Sequence, residues 1–479
     1  MGCDLRRGIR RARRAVPIGL GILGILLPAV HPEAAAAATA GDGFRSVSYR
    51  GYSFQVPSSW RVINLAHHPR ACVRFNRHAV YMGTPSANQA CPSQAFGTTE
   101  AMLIEPASGA APRTSSWNPV TRQVTVTAQR IRITATFDGH RRKIDRILAS
   151  AGLPRPVKDD PPKAQAVAPL PLGATNYHGR GFDACTAPSE SVMHTWWVDS
   201  PYGAIGIYLG GSDAACSQPN LTPAWLSAEA AQGWHYIPLY VGPQAAFGEL
   251  SANSSASQGV AAATDAARRA QQLGFGPSAP IYYDMEGFQP NQAIRVLQFL
   301  SAWTTTLHSL GYSSGVYSSS SSGIFYLAQQ YGRGPYAMPD VIYDALWNGQ
   351  ANTSDPVFRP GQWVNHQRLH QYNGNVTQTY GGIAINIDQD YMDVKLAGRP
   401  HYYKTLVTGL RVHDGASTSA ATVDVLGPAG TRVAVDCFVS GGSVFGDHAW
   451  YHLVAPHTGY VAGYYLNTGV DPAPGVPLC

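Results

Sequence analysis

The chain has 479 residues, which is enough for two or three domains. Hydrophobic residues make up 44% and support buried cores, whereas charged residues make up only 13%, a profile that favours loops and turns over long solvated helices. The formal net charge of +6 falls to +2 without residues 1–40, so the charge balance gives no indication of nucleic acid as a partner.

Residues 1–40 have the pattern of an export signal. Six arginines precede an apolar run from Val16 to Val30, and Ala38-Thr39-Ala40 offers a cleavage site of small residues. Because the apolar run is too short and too rich in glycine to span a bilayer comfortably, we predict a secreted protein with no stable membrane span after cleavage. A permanent N-terminal anchor is the alternative, and the choice between the Sec and twin-arginine routes stays open.

Six cysteines remain outside the export signal, and they allow 15 pairings. They fall into three pairs that are local in sequence, and we predict a disulfide within each: Cys72 with Cys91, Cys185 with Cys216, and Cys437 with Cys479. Disulfides persist in oxidising compartments, which agrees with export. The absence of a CxxC pair argues against a zinc ribbon or a thiol redox centre, and we predict no metal and no cofactor.

Composition and periodicity divide the rest of the chain into four parts. We predict a small α+β accessory domain at 41–153, whose function stays open, and a proline-rich linker at 154–178. Residues 179–397 alternate between short apolar runs and helical stretches, and residues 401–479 are rich in short strands.

The alternating part predicts a barrel. Eight apolar segments are candidate strands: Gly181–Asp183, Ala204–Leu209, Tyr236–Val241, Ile281–Glu286, Ser314–Tyr317, Val341–Trp347, Leu369–Tyr372 and Ala384–Tyr391. Helical patterns lie between them, including one that Thr222 opens with Pro223 at its first position. The α/β pattern favours a parallel (β/α)8 TIM-like barrel, with an open doubly wound sheet as the alternative. The alternative is weakened because no glycine-rich phosphate motif follows the first strand.

Two carboxyl groups follow the fourth predicted strand, at Asp284 and Glu286. Side chains two residues apart on a strand point to the same side, so these groups would share one surface. Repulsion and partial burial keep one of such a pair protonated while the other is ionised, which is what hydrolysis of a glycosidic bond requires. We therefore predict Glu286 and Asp284 as catalytic.

Other carboxyl and aromatic side chains are expected at the same end of the barrel, where the chemistry of such barrels takes place. Asp183 ends the first predicted strand, and Asp388 with Asp390 lies on the eighth. Aromatic rings stack on the apolar faces of sugar rings, which favours carbohydrate as the ligand. The substrate-binding aromatic residues we predict are Tyr208, Tyr240, Tyr317, Trp347 and Tyr372.

Other chemistries have weaker signals. His366 and His370 have the spacing of zinc ligands on a helix, but the glutamate of a metalloprotease motif is missing and a strand is predicted there. The chain contains no P-loop lysine signature.

Four motifs occur in an order that resembles the family 25 glycoside hydrolases, the lysozyme-like muramidases: Gly181-Phe182-Asp183, Tyr283-Asp284-Met285-Glu286, Gln371-Tyr372-Asn373-Gly374 and Ile387-Asp388. The Gly-Phe-Asp-x-Cys opening is more similar still to secreted actinobacterial proteins with a glycoside-hydrolase-like barrel. The resemblance implies that Glu286 is the general acid and that Asp284 stabilises positive charge or orients an N-acetyl group. It also implies that Asp183 and Asp388 line the sugar site. The chain departs from the muramidases at Asp388-Gln389-Asp390, where they have Asp-Leu-Asn, and at Cys185, where they have serine.

Residues 401–479 resemble a small all-β bacterial SH3-like barrel. The similarity rests on the segment from Leu410 to Gly415, on Gly430-Thr431-Arg432-Val433, on Trp450-Tyr451 and on Gly459-Tyr460-Val461. It implies attachment to cell-wall peptide or glycan, with a purely structural cap as the alternative.

The whole sequence predicts a secreted, monomeric, glycoside-hydrolase-like protein that acts on cell-wall polysaccharide, either peptidoglycan or a related N-acetylated polymer. The alternative is a non-catalytic carbohydrate-binding protein that keeps the barrel cleft.

Overall fold

The computed structural model describes residues 43–158, 167–171, 173–276, 278–396, 401–454, 457–473, 476 and 479. The predicted export signal and part of the predicted linker lie outside these residues. Of the described residues, 38% lie in strands and 19% in helices, so strands dominate the fold. None of the helices in this part of the chain is both long enough and apolar enough to cross a membrane.

The N-terminal module, residues 43–158, is a hairpin and a mixed sheet with one helix. The hairpin turns at Arg50-Gly51, where both residues have positive φ. The module's strands are β1 (Phe44–Tyr49), β2 (Tyr52–Pro57), β3 (Arg61–Asn64), β4 (Ala79–Met82), β5 (Ala101–Asn118), β6 (Gln123–Thr136) and β7 (Val157–Lys158). The sheet order is β3-β4-β5-β6, with β7 beside β5. Helix α1 (Arg142–Ser150) buries Ile144, Ile147 and Leu148 in the core that these strands share.

Eight strands in the middle of the chain close into a barrel, with five helices outside it. The strands are β8 (Tyr177–Asp183), β9 (Ala204–Gly210), β10 (His235–Tyr240), β11 (Pro280–Asp284), β12 (Ser313–Ser319), β13 (Val341–Ala345), β14 (Gln367–Tyr380) and β15 (Ile383–Val394). The helices are α2 (Glu190–Asp199), α3 (Pro223–Gln232), α4 (Ser255–Gln272), α5 (Ala293–Ser309) and α6 (Gly323–Gln330). As predicted, Thr222 caps α3 by accepting a hydrogen bond from the Trp225 backbone N–H, and Pro223 takes the first position.

The prediction of a (β/α)8 TIM-like barrel is wrong. Each predicted strand overlaps a strand of the closed barrel, but helices separate only the first six strands. A long loop leads from β13 to β14, and Gly381-Gly382 turns β14 directly into β15 as an antiparallel hairpin. Both glycines have positive φ, which is what a tight hairpin turn requires. Closure of the sheet also excludes the open doubly wound alternative.

Strand β15 closes the barrel by running antiparallel to both of its neighbours, β14 and β8. In the register with β8, Tyr177 lies opposite Val394, and Asp183 lies opposite Asp388. The middle of β15 and the end of β8 therefore meet at one end of the barrel. This antiparallel pairing brings the Asp388 carboxyl group to the end where the parallel strands finish.

Alternation of side chains along the strands divides the apolar residues of the barrel into two layers. The inner layer fills the barrel and includes Ile237, Leu239, Tyr282, Leu369 and Met392. The outer layer packs between strands and helices and includes Tyr236, Tyr240, Tyr283, Phe299 and Trp303. Polar side chains at the end of the inner layer are consequently held on a rigid support.

The C-terminal module, from residue 401 onward, is one antiparallel sheet. Its strands are β16 (His401–Lys404), β17 (Arg411–His413), β18 (Thr422–Val425), β19 (Arg432–Val444), β20 (Asp447–Leu453) and β21 (Gly459–Ala462), in the order β16-β19-β20-β21-β17-β18. Val412, Val435, Tyr451, Leu453 and Val461 form its core. The SH3-like assignment stays a prediction.

The three predicted disulfides are confirmed: Cys72–Cys91, Cys185–Cys216 and Cys437–Cys479. The first two lie side by side, with 3.9 Å between the sulfur atoms of Cys72 and Cys216. Because Cys72 and Cys91 belong to the N-terminal module and Cys185 and Cys216 to the barrel, this contact joins the two.

An ion-pair network makes a second junction between the N-terminal module and the barrel. Arg122, next to β6, contacts Asp213 at 2.7 Å and Glu249 at 2.6 Å. Both acids lie in loops that follow barrel strands, β9 for Asp213 and β10 for Glu249. The N-terminal module is thus attached at the end of the barrel where Asp183 and Asp388 meet.

Candidate active site

A cleft of about 370 Å³ opens at the end of the barrel where the parallel strands finish. Four carboxyl groups line it: those of Asp183, Asp284, Glu286 and Asp388. No lysine, arginine or histidine occurs among the described residues that line this cleft. With no cation to balance them, the four acids repel one another, and burial disfavours their charged forms further.

Asp183, the last residue of β8, is held by three hydrogen bonds. Tyr208 Oη donates to it at 2.8 Å, Tyr343 Oη at 3.0 Å and Gln371 Nε2 at 3.1 Å. Gly206 on the neighbouring strand makes room for this side chain, because a Cβ at 206 would collide with the Cβ of Asp183. Burial raises the pKa of Asp183, whereas the three donors favour its ionised form.

Asp284 ends β11, and Glu286 follows one residue beyond it. Met285, between them, is fully buried in the outer layer, so the two carboxyl groups share the opposite side of the chain. Asp284 is 5% exposed, and no hydrogen-bond partner for its Oδ1 occurs among the described residues. Burial, followed by repulsion from Glu286, raises the pKa of Asp284 well above its usual value.

Glu286 is the partly exposed member of this pair. Burial, followed by the charge of Asp388, raises the pKa of Glu286 to about 7. A carboxyl group with such a pKa is still substantially protonated near neutral pH and can give up that proton. Position and protonation together make Glu286 the group in the cleft that is best suited to donate a proton to a bound molecule.

Asp388 receives hydrogen bonds from the N-terminal module and from the neighbouring strand β14. Ser93 Oγ, from the N-terminal module, donates to Oδ1 of Asp388 at 2.8 Å, and the backbone N–H of Asn375 donates to the same oxygen. Burial, followed by repulsion from Asp183, raises the pKa of Asp388 to about 7, although both donors act in the opposite direction. The barrel and the N-terminal module therefore hold this carboxyl group jointly.

Three of the five predicted aromatic residues line the cleft: Tyr208, Tyr317 and Trp347. Tyr317 Oη and Trp347 Nε1 both donate to Oε1 of Gln371, each at 3.0 Å. Gly374 makes room for the indole ring of Trp347, which a Cβ at 374 would hit. Trp347 is 53% exposed and offers a ring face at the rim of the cleft.

The prediction that Tyr240 and Tyr372 line the cleft is wrong. Tyr240 is fully buried in the outer layer, where its Oη donates to Asp265 Oδ2 at 3.0 Å. Tyr372 is also buried and does not line the cleft. The reason is alternation, because the adjacent residues Leu239 and Gln371 are the ones that face the cleft.

Several residues of the site were missed from the sequence. Gln371 and Tyr343 could have been found from the sequence. Each lies on a predicted strand two residues after an apolar residue of the inner layer, Leu369 and Val341 respectively, so it points to the same side of the sheet. Gln244 and Ser93 had no such signal, because one lies in a loop after β10 and the other comes from the N-terminal module. Only tertiary structure brings Ser93 to the Asp388 carboxyl group and Gln244 to the backbone of Asp284 and Glu286.

The histidines at 366 and 370 do not form a metal site. His370 is buried and hydrogen-bonds the backbone oxygens of Asn352 and Leu346 at 2.6 and 2.7 Å. His366 pairs with Asp393 at 2.6 Å, away from the cleft.

A family model described as "Rv2525c-like, glycoside hydrolase-like domain" matches residues 194–392. The matched region contains Asp284, Glu286 and Asp388 and begins after Asp183 and the N-terminal module. No curated protein matches the chain. The middle of the chain is therefore similar to a glycoside hydrolase-like domain.

Three solved structures are similar to parts of the chain. An uncharacterized protein of B. stearothermophilus is 20% identical with a TM-score of 0.33, covering 45% of this chain and 95% of that one. The catalytic domain of endolysin ply40, from bacteriophage P40 of Listeria monocytogenes, is 12% identical with a TM-score of 0.29, covering 46% and 94%. The modular autolysin LytC of Streptococcus pneumoniae is 14% identical with a TM-score of 0.31, covering 56% of each chain.

Proposed function

We propose that this protein is a secreted glycoside hydrolase that cleaves a β-linked, N-acetylated glycan of the bacterial cell wall, such as peptidoglycan. The observation that carries the proposal is the partly exposed Glu286, whose pKa is raised to about 7 at the edge of a buried group of carboxyl side chains. The match of residues 194–392 to a glycoside hydrolase-like domain supports it.

In this mechanism Glu286 is the general acid. It transfers its proton to the glycosidic oxygen as the bond between that oxygen and the anomeric carbon breaks. Water then attacks the anomeric carbon and returns a proton to Glu286, which restores the starting state. Each turnover thus adds one water molecule across the bond and needs no further reactant.

Asp284 acts on the sugar whose anomeric carbon loses the glycosidic oxygen. Repulsion between Asp284 and Glu286 favours states in which one is protonated and the other ionised. While Glu286 holds the proton, an ionised Asp284 stabilises positive charge at the anomeric carbon or accepts a hydrogen bond from a substrate N-acetyl group. The Oδ1 atom of Asp284 has the unused capacity that such an interaction needs.

The remaining polar and aromatic side chains bind the sugar. Asp183 and Asp388 are acceptors for hydroxyl groups, because donors hold them at defined positions. Tyr208, Tyr317 and Trp347 supply ring faces, with Trp347 the most exposed of them. In this proposal the C-terminal module, as an SH3-like domain at 401–479, attaches the monomeric protein to the wall, and residues 179–397 form the catalytic domain.

The test is release of soluble fragments from purified cell walls by residues 41–479. We expect release by the wild type and its loss in the Glu286→Gln and Asp284→Asn variants. Glu190→Gln is the matched control, because Glu190 is exposed on α2 and does not line the cleft. Wall binding without release by any protein would contradict the hydrolase and favour a carbohydrate-binding protein that keeps the cleft.

A further inference from the structure

One side of the cleft is not made by the barrel. Four of its lining residues, Ser93, Gln94, Ala95 and Phe96, belong to a part of the N-terminal module that we call the covering segment (residues 91–97). This segment lies well outside residues 194–392, the part of the chain that is similar to a glycoside hydrolase-like domain.

We propose that the covering segment is the end wall of the substrate site, so that the site accepts the end of a glycan chain or a short saccharide and not the interior of a polymer. This inference rests on the proposed function, because it concerns which part of a glycan the same cleft binds.

Two hydrogen bonds, which we call the clasp, join Ser93 of the covering segment to Asn386 and Asp388 on β15. The backbone N–H of Ser93 donates to Oδ1 of Asn386 at 2.7 Å, and Ser93 Oγ donates to Oδ1 of Asp388 at 2.8 Å. Ser93 is only 3% exposed. A single residue thus bonds two side chains that lie two positions apart on β15.

A second groove begins on the far side of this clasp. It has a volume of about 1,080 Å³ and a lining of mixed polarity, whose polar members include Asn88, Gln89, Asn375, Thr377 and Asn386. Pro92 lines this groove and Ser93 lines the cleft, just as Asn386 lines the groove and Asp388 the cleft. The clasp residues therefore lie between the cleft and the groove.

The size of the cleft agrees with an end wall. Its volume of about 370 Å³ is near the lower limit of the roughly 300 to 1,000 Å³ that is usual for small-ligand pockets. A short saccharide suits such a space, whereas a polymer bound through its interior needs a path open at both ends.

The wall is fixed at both of its ends. On one side Cys91 is bonded to Cys72, whose sulfur lies 3.9 Å from that of Cys216 in the barrel. On the other side the Gly97 backbone N–H donates to the Asp213 backbone oxygen at 2.9 Å, and Thr98 Oγ1 donates to the Ser212 backbone oxygen at 2.7 Å. Anchors on both sides make the segment a rigid boundary of the site.

The test measures binding, so it does not depend on turnover. Linear β-1,4-linked N-acetylglucosamine oligomers of one to six residues are titrated calorimetrically into the full chain carrying Glu286→Gln. We expect affinity to stop rising after two or three sugars. A hexamer that carries a bulky fluorophore at one end should lose at least about tenfold in affinity, and the hexamer labelled at the other end should bind like the unlabelled one.

Opening the clasp should weaken this limit, although the anchors at both ends of the covering segment remain. The added substitutions Ser93→Gly and Asn386→Ala delete the side-chain partners of both hydrogen bonds, and affinity should then keep rising with chain length. Asn253→Ala with Ser257→Ala is the matched control, because both residues are exposed and line neither the cleft nor the groove.

Two results would overturn the inference, and they are distinguishable. Affinity that rises steadily to the hexamer in the Glu286→Gln protein, with both labelled hexamers bound equally, would remove the end wall and leave the glycan site standing. If no oligomer binds, the glycan site itself is overturned, and the end wall with it. The experiment with labelled hexamers does not use the clasp variant. It therefore tests the end wall even if that variant fails to fold.

Discussion

Gln244 Oε1 accepts a hydrogen bond from the backbone N–H of Glu286 at 2.9 Å. The same side chain donates through Nε2 to the backbone oxygens of Asp284 at 2.8 Å and Gly242 at 3.0 Å. Gln244 is fully buried, so one amide group holds the chain on both sides of Met285. The direction of the Glu286 side chain consequently depends on a residue that does not itself line the cleft.

Replacing this amide should impair catalysis more than binding. Gln244→Leu keeps the approximate volume and leaves the Glu286 N–H and the Asp284 backbone oxygen without their partner, at a cost of about 1 to 3 kcal/mol. We expect kcat to fall about 10-fold or more with little change in KM, because the acid loses its alignment. Gln271→Leu, on the exposed side of α4, is the control. Equal kcat values for the two variants would show that Gln244 does not position Glu286.

The raised pKa of Glu286 has a consequence for stability. The folded protein binds this proton more tightly than the unfolded chain does, so ionisation costs folding free energy as the pH rises from about 4.5 to about 7. Below that window the group is neutral in both states and the cost is absent. Glu286→Gln should therefore match the wild type near pH 4 and be more stable near pH 8 by about 1 to 3 kcal/mol.

Thermal unfolding of the wild type, Glu286→Gln and Glu190→Gln at both pH values measures this difference. A gain of about 2 to 10 °C in the Tm of the Glu286 variant is expected at pH 8 only. A gain of the same size at pH 4 would mean that charge is not its cause.

Two tyrosines provide a test of the site's boundary. Tyr208→Phe removes one of the three donors to Asp183, and a hydrogen bond to a charged group is worth about 1.5 to 3 kcal/mol. We expect kcat/KM to fall about 10-fold or more. Tyr240→Phe removes a bond to Asp265 on the helical side, so kcat/KM should stay within about twofold of the wild type. A larger loss of kcat/KM in the Tyr240 variant would show that the site extends to the helical side of the barrel, contrary to the boundary proposed here.

Removal of the Cys72–Cys91 disulfide should affect both stability and ligand selection. The bond closes a loop with a sequence separation of 19 residues, for which a loss of about 3 kcal/mol is expected when both cysteines become alanine. Since Cys91 begins the covering segment, binding of labelled oligomers should lose its preference for one end. The control is Cys437→Ala with Cys479→Ala, which should destabilise the C-terminal module and leave that preference intact. Loss of the preference in the control would contradict a local effect.

The sequence predicted the strands of the barrel better than their directions. Short apolar runs identify strands in either orientation, so the pattern predicts Ala384–Tyr391 as a strand but gives it the wrong direction, since β15 runs antiparallel to both of its neighbours. The signal for the correct arrangement was Gly381-Gly382, a dipeptide typical of tight hairpins. The regular alternation of helices with the first six strands outweighs this signal, because it favours two more parallel strands with a helix between them.

The candidate site likewise could be predicted only where its residues follow the regular pattern of the strands. Carboxyl groups at strand ends could be predicted because the carboxyl ends of neighbouring strands meet, and the structure brings Asp183, Asp284, Glu286 and Asp388 to one cleft. Their chemical roles stay predictions. Ser93 could not be predicted, since 293 to 295 residues separate it from its partners on β15 and no periodic pattern connects them.

The pairing of β8 with β15 has a consequence for how the barrel could be reused. Tyr177 and Val394 lie opposite each other, so the chain enters and leaves the barrel at adjacent points of the face that is turned away from the cleft. Units whose two termini are close together tolerate insertion into host loops and circular permutation. A graft limited to residues 177–394 would therefore carry all four acids of the cleft and leave Ser93 behind.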